Sequence, residues 1–86
     1  MKLIKLVESF LSEPSEVRFE EVRYLLEAFG FSEVRSKVSH HTFRNDRGQV
    51  QVIPKASGQK VKRTYVKQIV RLLNLKDWYA NQTGEP

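Results

Sequence analysis

Apolar residues at Leu3, Ile4, Leu6, Val7, Phe10 and Leu11 recur at the three-and-four spacing of one helical face, and Pro14 within Ser12-Glu13-Pro14-Ser15 closes the segment. This predicts a first helix over roughly residues 2–11. A second apolar stripe, Phe19, Val22, Leu25, Leu26 and Phe29, ends at Gly30, the residue best able to adopt a left-handed cap, so that Phe31 can fold back onto the last turn. From residue 33 the period drops to two, with Val34, Ser36 and Val38 on one side and Arg35, Lys37 and Ser39 on the other. The alternation continues through residues 40–45, pauses at Asn45-Asp46-Arg47-Gly48, and resumes over residues 49–53 until Pro54, which predicts an antiparallel hairpin. After a loop at residues 55–59, Tyr65, Val66, Ile69, Val70, Leu72 and Leu73 form a wide helical face. The tail can dock Trp78 or Tyr79 and is then expected to fray.

The expected fold is α+β, in the order α-α-β-β-β-α: a three-stranded antiparallel sheet with helices packed on one face. Residues 1–14 form an additional N-terminal helix, 15–76 the α-β-β-β-α domain and 77–86 a C-terminal tail. That α-β-β-β-α arrangement is the one used by double-stranded RNA-binding domains, so RNA enters as a ligand on architecture alone.

Eighty-six residues allow one modest core. With no cysteine, disulfides, thiolate zinc sites and cysteine nucleophiles are excluded together, and apolar packing must hold the domain. No apolar run approaches the ~20 residues of a membrane span, and the charged start lacks the apolar stretch of a signal peptide, so a soluble, unprocessed cytoplasmic protein is expected. The net charge is +5, but it is unevenly spread. Residues 1–33 carry four basic and seven acidic side chains, net −3, which leaves +8 for residues 34–86. The basic part suits a polyanionic partner, and Lys60, Arg63, Lys67 and Arg71 fall within about 80° of one another on a helical projection. Such a stripe is either a nucleic-acid contact or the solvated face of an amphipathic helix.

The only two histidines are neighbours, His40 and His41, in the alternating segment. Adjacent strand residues point to opposite faces, so one can join the core while the other is exposed. The same geometry argues against a metal site: the two rings diverge, and no cysteine or spaced histidine completes a tetrahedron. Ser39 has no base placed to activate it, since His40 lies on the opposite face. Phe43 is expected in the core rather than as a stacking platform for bases, and His41 in sheet packing or a backbone hydrogen bond. The exposed imidazole is the best candidate for proton transfer near neutral pH.

Several segments together resemble the HicA toxin family: Phe29-Gly30-Phe31 ending a helix, Ser39-His40-His41-Thr42-Phe43 on a strand, and Val50-Gln51-Val52-Ile53-Pro54 stopping at proline. Gly58-Gln59-Lys60 and the basic helix from Arg63 to Leu73 complete a resemblance that covers roughly residues 18–76. It implies a double-stranded RNA-binding-like fold and a metal-independent endoribonuclease, an mRNA interferase, that needs no cofactor and is neutralised by a HicB-type antitoxin. The histidine that follows serine is the family's catalytic one, which corresponds to His40. In RNA cleavage through the 2′-hydroxyl, imidazole can accept or deliver the proton, and cations stabilise the phosphorane-like transition state. Lys37, Arg44, Lys60, Arg63, Lys67 and Arg71 are the candidate RNA contacts, with Lys55 a further cation near the site. The chain departs from the family pattern at Val38, where glycine is usual, and at Ala56, where a histidine is often found. Valine there predicts a flatter, stiffer strand. A noncatalytic RNA-binding module is the alternative; the assembly is a monomer or a toxin–antitoxin hetero-oligomer.

Overall fold

The computed structural model describes residues 2–84. Helix α1 spans Leu3–Leu11 and buries Leu6, Val7 and Phe10. It stops where Ser12 Oγ donates to the Ser9 carbonyl and Glu13, at φ +50°, turns the chain toward Pro14. Helix α2, Phe19–Ala28, starts without a side-chain N-cap because Arg18 offers no acceptor. Glu21 compensates by accepting the Arg18 backbone N–H at 3.0 Å, half of a capping box. The helix ends in a Schellman motif: Gly30, at φ +90°, donates to the Glu27 carbonyl and Phe31 to that of Leu26. Phe31 is buried, as its position after Gly30 predicts.

Two three-residue strands precede helices and were not visible as periodicity. Strand β1, Glu16–Arg18, runs into α2, and β5, Lys60–Lys62, runs into helix α3, Arg63–Leu72. They pair antiparallel with Val17 opposite Val61, both buried, so the two helices enter the core from one small sheet. Backbone bonds from Phe19 to Gln59 and from Arg63 to Ser15 lock the two junctions.

The larger sheet has the expected three strands, β2 Ser32–Lys37, β3 His40–Arg44 and β4 Val50–Pro54, in the order β2-β3-β4. The Asn45 side chain closes the β3–β4 turn by accepting from the Arg47 and Gln49 backbone N–H groups. Register sorts the two faces. His41, Phe43 and Ile53 point into the core, while Lys37, His40, Thr42, Arg44, Val50 and Val52 share the opposite, open face. The alternation fails at one point: Glu33 opposes Phe43 but Arg35 opposes Thr42, so Val34 is an extra residue in a β-bulge. Glu33, before the bulge, faces inward opposite Phe43, and the bulge sends Arg35 and Lys37 outward.

The C-terminal segment docks Trp78 and Tyr79, as expected, but continues as helix to Thr83 where fraying was expected. Asn74 adopts a left-handed conformation, φ 51°, and redirects the chain into helix α4, Leu75–Thr83. Burial explains why the segment is ordered: Leu75 is fully buried, Trp78 meets Phe29 edge-on at 5.5 Å between ring centroids, and the Tyr79 hydroxyl donates to the Glu8 carboxylate of α1. Residues 85 and 86 lie outside the described part. Helix α1 joins the same core rather than standing apart, so a single hydrophobic cluster runs from Leu6 to Leu75. Among the described residues, no helix is long and apolar enough to cross a membrane.

Candidate active site

The hairpin joining β2 to β3 turns in two residues, Val38 and Ser39, which makes Lys37 and His40 cross-strand partners. Val38 is therefore not in the strand. It occupies the first turn position at φ +55°, 94% exposed, and it alone of the two turn residues has positive φ. Those φ signs match a type II′ turn, whose first central position favours glycine because a β-carbon is strained there. The expectation of a flatter strand at Val38 is thus corrected: the valine keeps the glycine-like backbone and bears its cost.

His40 is exposed on the open sheet face, flanked by Lys37 on β2 and Pro54 on β4. Arg35 and Arg44 lie on the same face. Among the described residues none of these three cations forms a salt bridge, so their charge is available to an incoming anion. Of the five exposed large hydrophobic side chains among the described residues, four, Val34, Val38, Val50 and Val52, belong to the same sheet and its turn.

His41 lies on the other face, as strand geometry requires, with only 6% of its surface exposed. Its ring packs 4.5 Å from that of Phe19, the sheet packing that was one of the two expectations for it, while its hydrogen bond goes to a carboxylate and not to the backbone. Nδ1 donates to Glu33 Oε2 at 2.5 Å, while Glu33 Oε1 accepts from Arg23 at 2.8 Å. Nε2 is buried and has no partner among the described residues. Burial pushes the Glu33 carboxyl upward, but the hydrogen bonds from His41 and Arg23 outweigh it and hold the group below its ordinary value. Two cations cover Phe19: Lys55 Nζ at 4.8 Å and the Arg23 guanidinium at 5.1 Å from the ring centroid. The Lys55 backbone N–H donates to the Ser39 carbonyl at 2.8 Å, tying the residue before His40 to the end of β4.

The remaining predicted contacts do not gather around His40. Lys60 belongs to β5, not to a helix, and its ammonium pairs with Glu16 at 3.1 Å. Arg63 opens α3 and donates from Nε to the Glu13 carbonyl at 2.8 Å, bracing the α1–β1 connection. Lys67 and Arg71 line a groove of about 440 Å³ together with Glu13, Val70, Asn74 and Lys76. Gln68, on another side of α3, bonds to Gln51 of β4. The stripe read from the sequence is thus three residues long and lies toward the α1–β1 connection and the start of α4, whereas Lys37 and Arg44 share the open sheet face with His40.

Glu33, Arg23 and Arg35 belong to this region but were not singled out from the sequence. The signal available for Glu33 was its place as the one acid in the first strand, opposite a segment that contains histidine. Phe43 is fully buried in the core, as expected. Among the described residues, no three His, Asp or Glu side chains cluster in a way that would hold a metal ion.

Fold and site define a small α+β protein that displays one imidazole among cations on the open face of an antiparallel sheet. Residues 19–77 match the family model described as HicA toxin of bacterial toxin-antitoxin, from the first residue of α2 into α4. The chain belongs to the HicA toxin family, the toxins of toxin–antitoxin systems. No match to a curated protein or to a solved structure was found.

Proposed function

We propose that the protein is a metal-independent endoribonuclease acting on mRNA in the cytoplasm, with His40 as its proton-transfer residue. The observation that carries this reading is the pairing of an exposed imidazole with Lys37 across a two-residue turn. Neutral His40 accepts the proton of the ribose 2′-hydroxyl as that oxygen attacks the adjacent phosphorus. The bond to the 5′-oxygen breaks, water supplies the proton to the leaving oxygen, and the products are a 2′,3′-cyclic phosphate and a 5′-hydroxyl end. Lys37 stabilises the added negative charge on the phosphorane, and Arg44 holds a neighbouring phosphate on the same face. Lys67 and Arg71, with Arg63 and Lys60, act at a distance from the reacting phosphate by attracting the RNA backbone.

The same face suits a protein inhibitor. Val50 and Val52 lie exposed between cations, a mixed apolar and basic surface that an acidic HicB-type antitoxin would cover while burying His40. The complex would be a toxin–antitoxin hetero-oligomer.

Wild type and His40→Ala, purified and incubated with RNA in EDTA, test the reading. Cleavage that survives chelation and falls about 10²-fold or more in the variant is the expected result. Equal rates for the two proteins would remove His40 from the chemistry. Ala56, where many relatives of the resembled family have histidine, favours a second reading, a noncatalytic RNA-binding module. That module would bind RNA in a salt-sensitive way, cut nothing, and be indifferent to His40→Ala.

A further inference from the structure

The β-bulge at Val34 decides what stands opposite His40. In a regular ladder continuing from the Ser32–Arg44 pair, Ser36 would oppose His40 and Lys37 would fall into the turn. The extra residue instead advances β2 by one position, so that Ser36 opposes His41 and Lys37 opposes His40. The bulge therefore brings the cation to the imidazole.

What holds the bulge lies on the buried face. Glu33, the residue just before Val34, opposes Phe43 in the ladder but reaches along β3 to His41. The Glu33–His41 hydrogen bond thus spans the bulged position, and Arg23 of α2 anchors the second carboxylate oxygen. The turn holds β2 less firmly, since Val38 is strained and exposed and the Ser39 carbonyl is tied to Lys55 beyond β4, not to β2. Nor does stability alone call for imidazole at position 41. An apolar side chain would pack against Phe19 without leaving a buried Nε2 unpartnered.

We propose that Glu33 and His41 are positioning residues: their hydrogen bond, secured by Arg23, pins the β2 bulge and so keeps Lys37 opposite His40. The proposal rests on the reading of His40 as the proton-transfer residue, but its structural half can be measured without any activity. The bond acts through register, so its loss lets β2 slip by one residue and exchanges Lys37 for Ser36 beside the imidazole.

Two variants test this, Glu33→Gln and His41→Leu, the latter keeping apolar contact with Phe19. Both are first checked for folding by circular dichroism. Wild type is expected to give cross-strand nuclear Overhauser contacts between Lys37 and His40, and each folded variant to lose them in favour of contacts between Ser36 and His40. In RNA cleavage, kcat is expected to fall about tenfold or more with KM within about twofold of wild type, the signature of a lost transition-state contact. Should either variant fail to fold, Arg23→Ala, at a half-exposed position, carries the same test with a smaller shift. Folded variants that keep the Lys37–His40 contacts, or that keep wild-type kcat, would overturn the proposal. A wild-type protein that shows the contacts but cuts no RNA would instead count against the ribonuclease reading and leave the register argument to the spectra.

Discussion

Lys37 and His40 are cross-strand partners at the mouth of a turn whose first residue, Val38, is held at φ +55°. A β-branched side chain in that region is an outlier, because its β-carbon crowds the following carbonyl at a cost of roughly 1–2 kcal/mol. Val38 recovers little of this through packing, since it is 94% exposed. The pairing beside His40 is thus maintained against local backbone preference.

Val38→Gly removes the strain and gives up some unfolded-state stiffness, with a net stabilisation of about 1 kcal/mol. For a domain of this size that corresponds to a rise in Tm of about 4–8 °C. Thermal unfolding followed by circular dichroism measures it. A lower Tm for the glycine variant would mean that the turn does not carry the strain assigned to Val38.

The cations separate into two groups with different expected readouts. Lys37→Gln, next to His40, should lower kcat by about 10- to 100-fold with a modest change in RNA affinity. Lys67→Gln and Arg71→Gln line the distant groove, so each should weaken binding across RNA sequences and reduce the salt slope by about one, with kcat nearly unchanged. Lys60→Gln should do least. It removes an exposed pair with Glu16 of a kind worth about 0–1 kcal/mol, in which the Lys60 charge is already offset by the carboxylate. Titrations of labelled RNA at several salt concentrations, combined with single-turnover cleavage, distinguish these outcomes.

Long, strongly periodic segments were legible in the sequence. The stripes from Leu3 to Leu11 and from Phe19 to Phe29 became α1 and α2, and the Gly30–Phe31 cap formed as its residue types require. Strands β1 and β5 were not legible, because three residues display no period and Val17 and Val61 reveal their pairing only in three dimensions. The separation of His40 from His41 followed from strand geometry, but the bulge that aims Lys37 did not. A β-bulge breaks the alternation from which strands are read, and Val34 continues an apolar pattern there instead of interrupting it. The helical stripe overreached for a related reason: Lys60 has the spacing of the helix yet precedes it.

Helix α4 offers a direct check on the C-terminal end of the chain, where it runs from Leu75, in the expected domain, into residues expected as a tail. Leu75 is completely buried, although it sits one residue beyond the left-handed Asn74. Leu75→Ala should destabilise the whole domain by about 2–5 kcal/mol, because the cavity opens into the common core and not at a frayed end. Urea unfolding gives the difference from the shift in midpoint at constant slope. A change below about 0.5 kcal/mol, typical of surface substitutions, would mean that α4 is not part of the cooperative unit.

Acid titration probes the carboxylate that ties β2 to β3. Burial raises the pKa of Glu33, but its hydrogen bonds to His41 and Arg23 bring it below the ordinary value of 4.5. A carboxyl whose pKa is depressed by folding binds fewer protons in the native state than in the unfolded one. Its contribution to stability is therefore complete above the ordinary carboxylate range and is lost as pH falls through the depressed value. Glu8 has the same sign, held down chiefly by the Tyr79 hydroxyl against desolvation, with a smaller influence from Lys5. The urea midpoint of wild type should stay level from neutral pH down to about 5 and then decline. Glu33→Gln should start lower at neutral pH and decline less steeply below 5, so that the two curves converge in acid. Parallel curves over the whole range would show that the Glu33 carboxylate contributes nothing beyond what a neutral amide supplies, and would weaken the case that it pins the strand register beside His40.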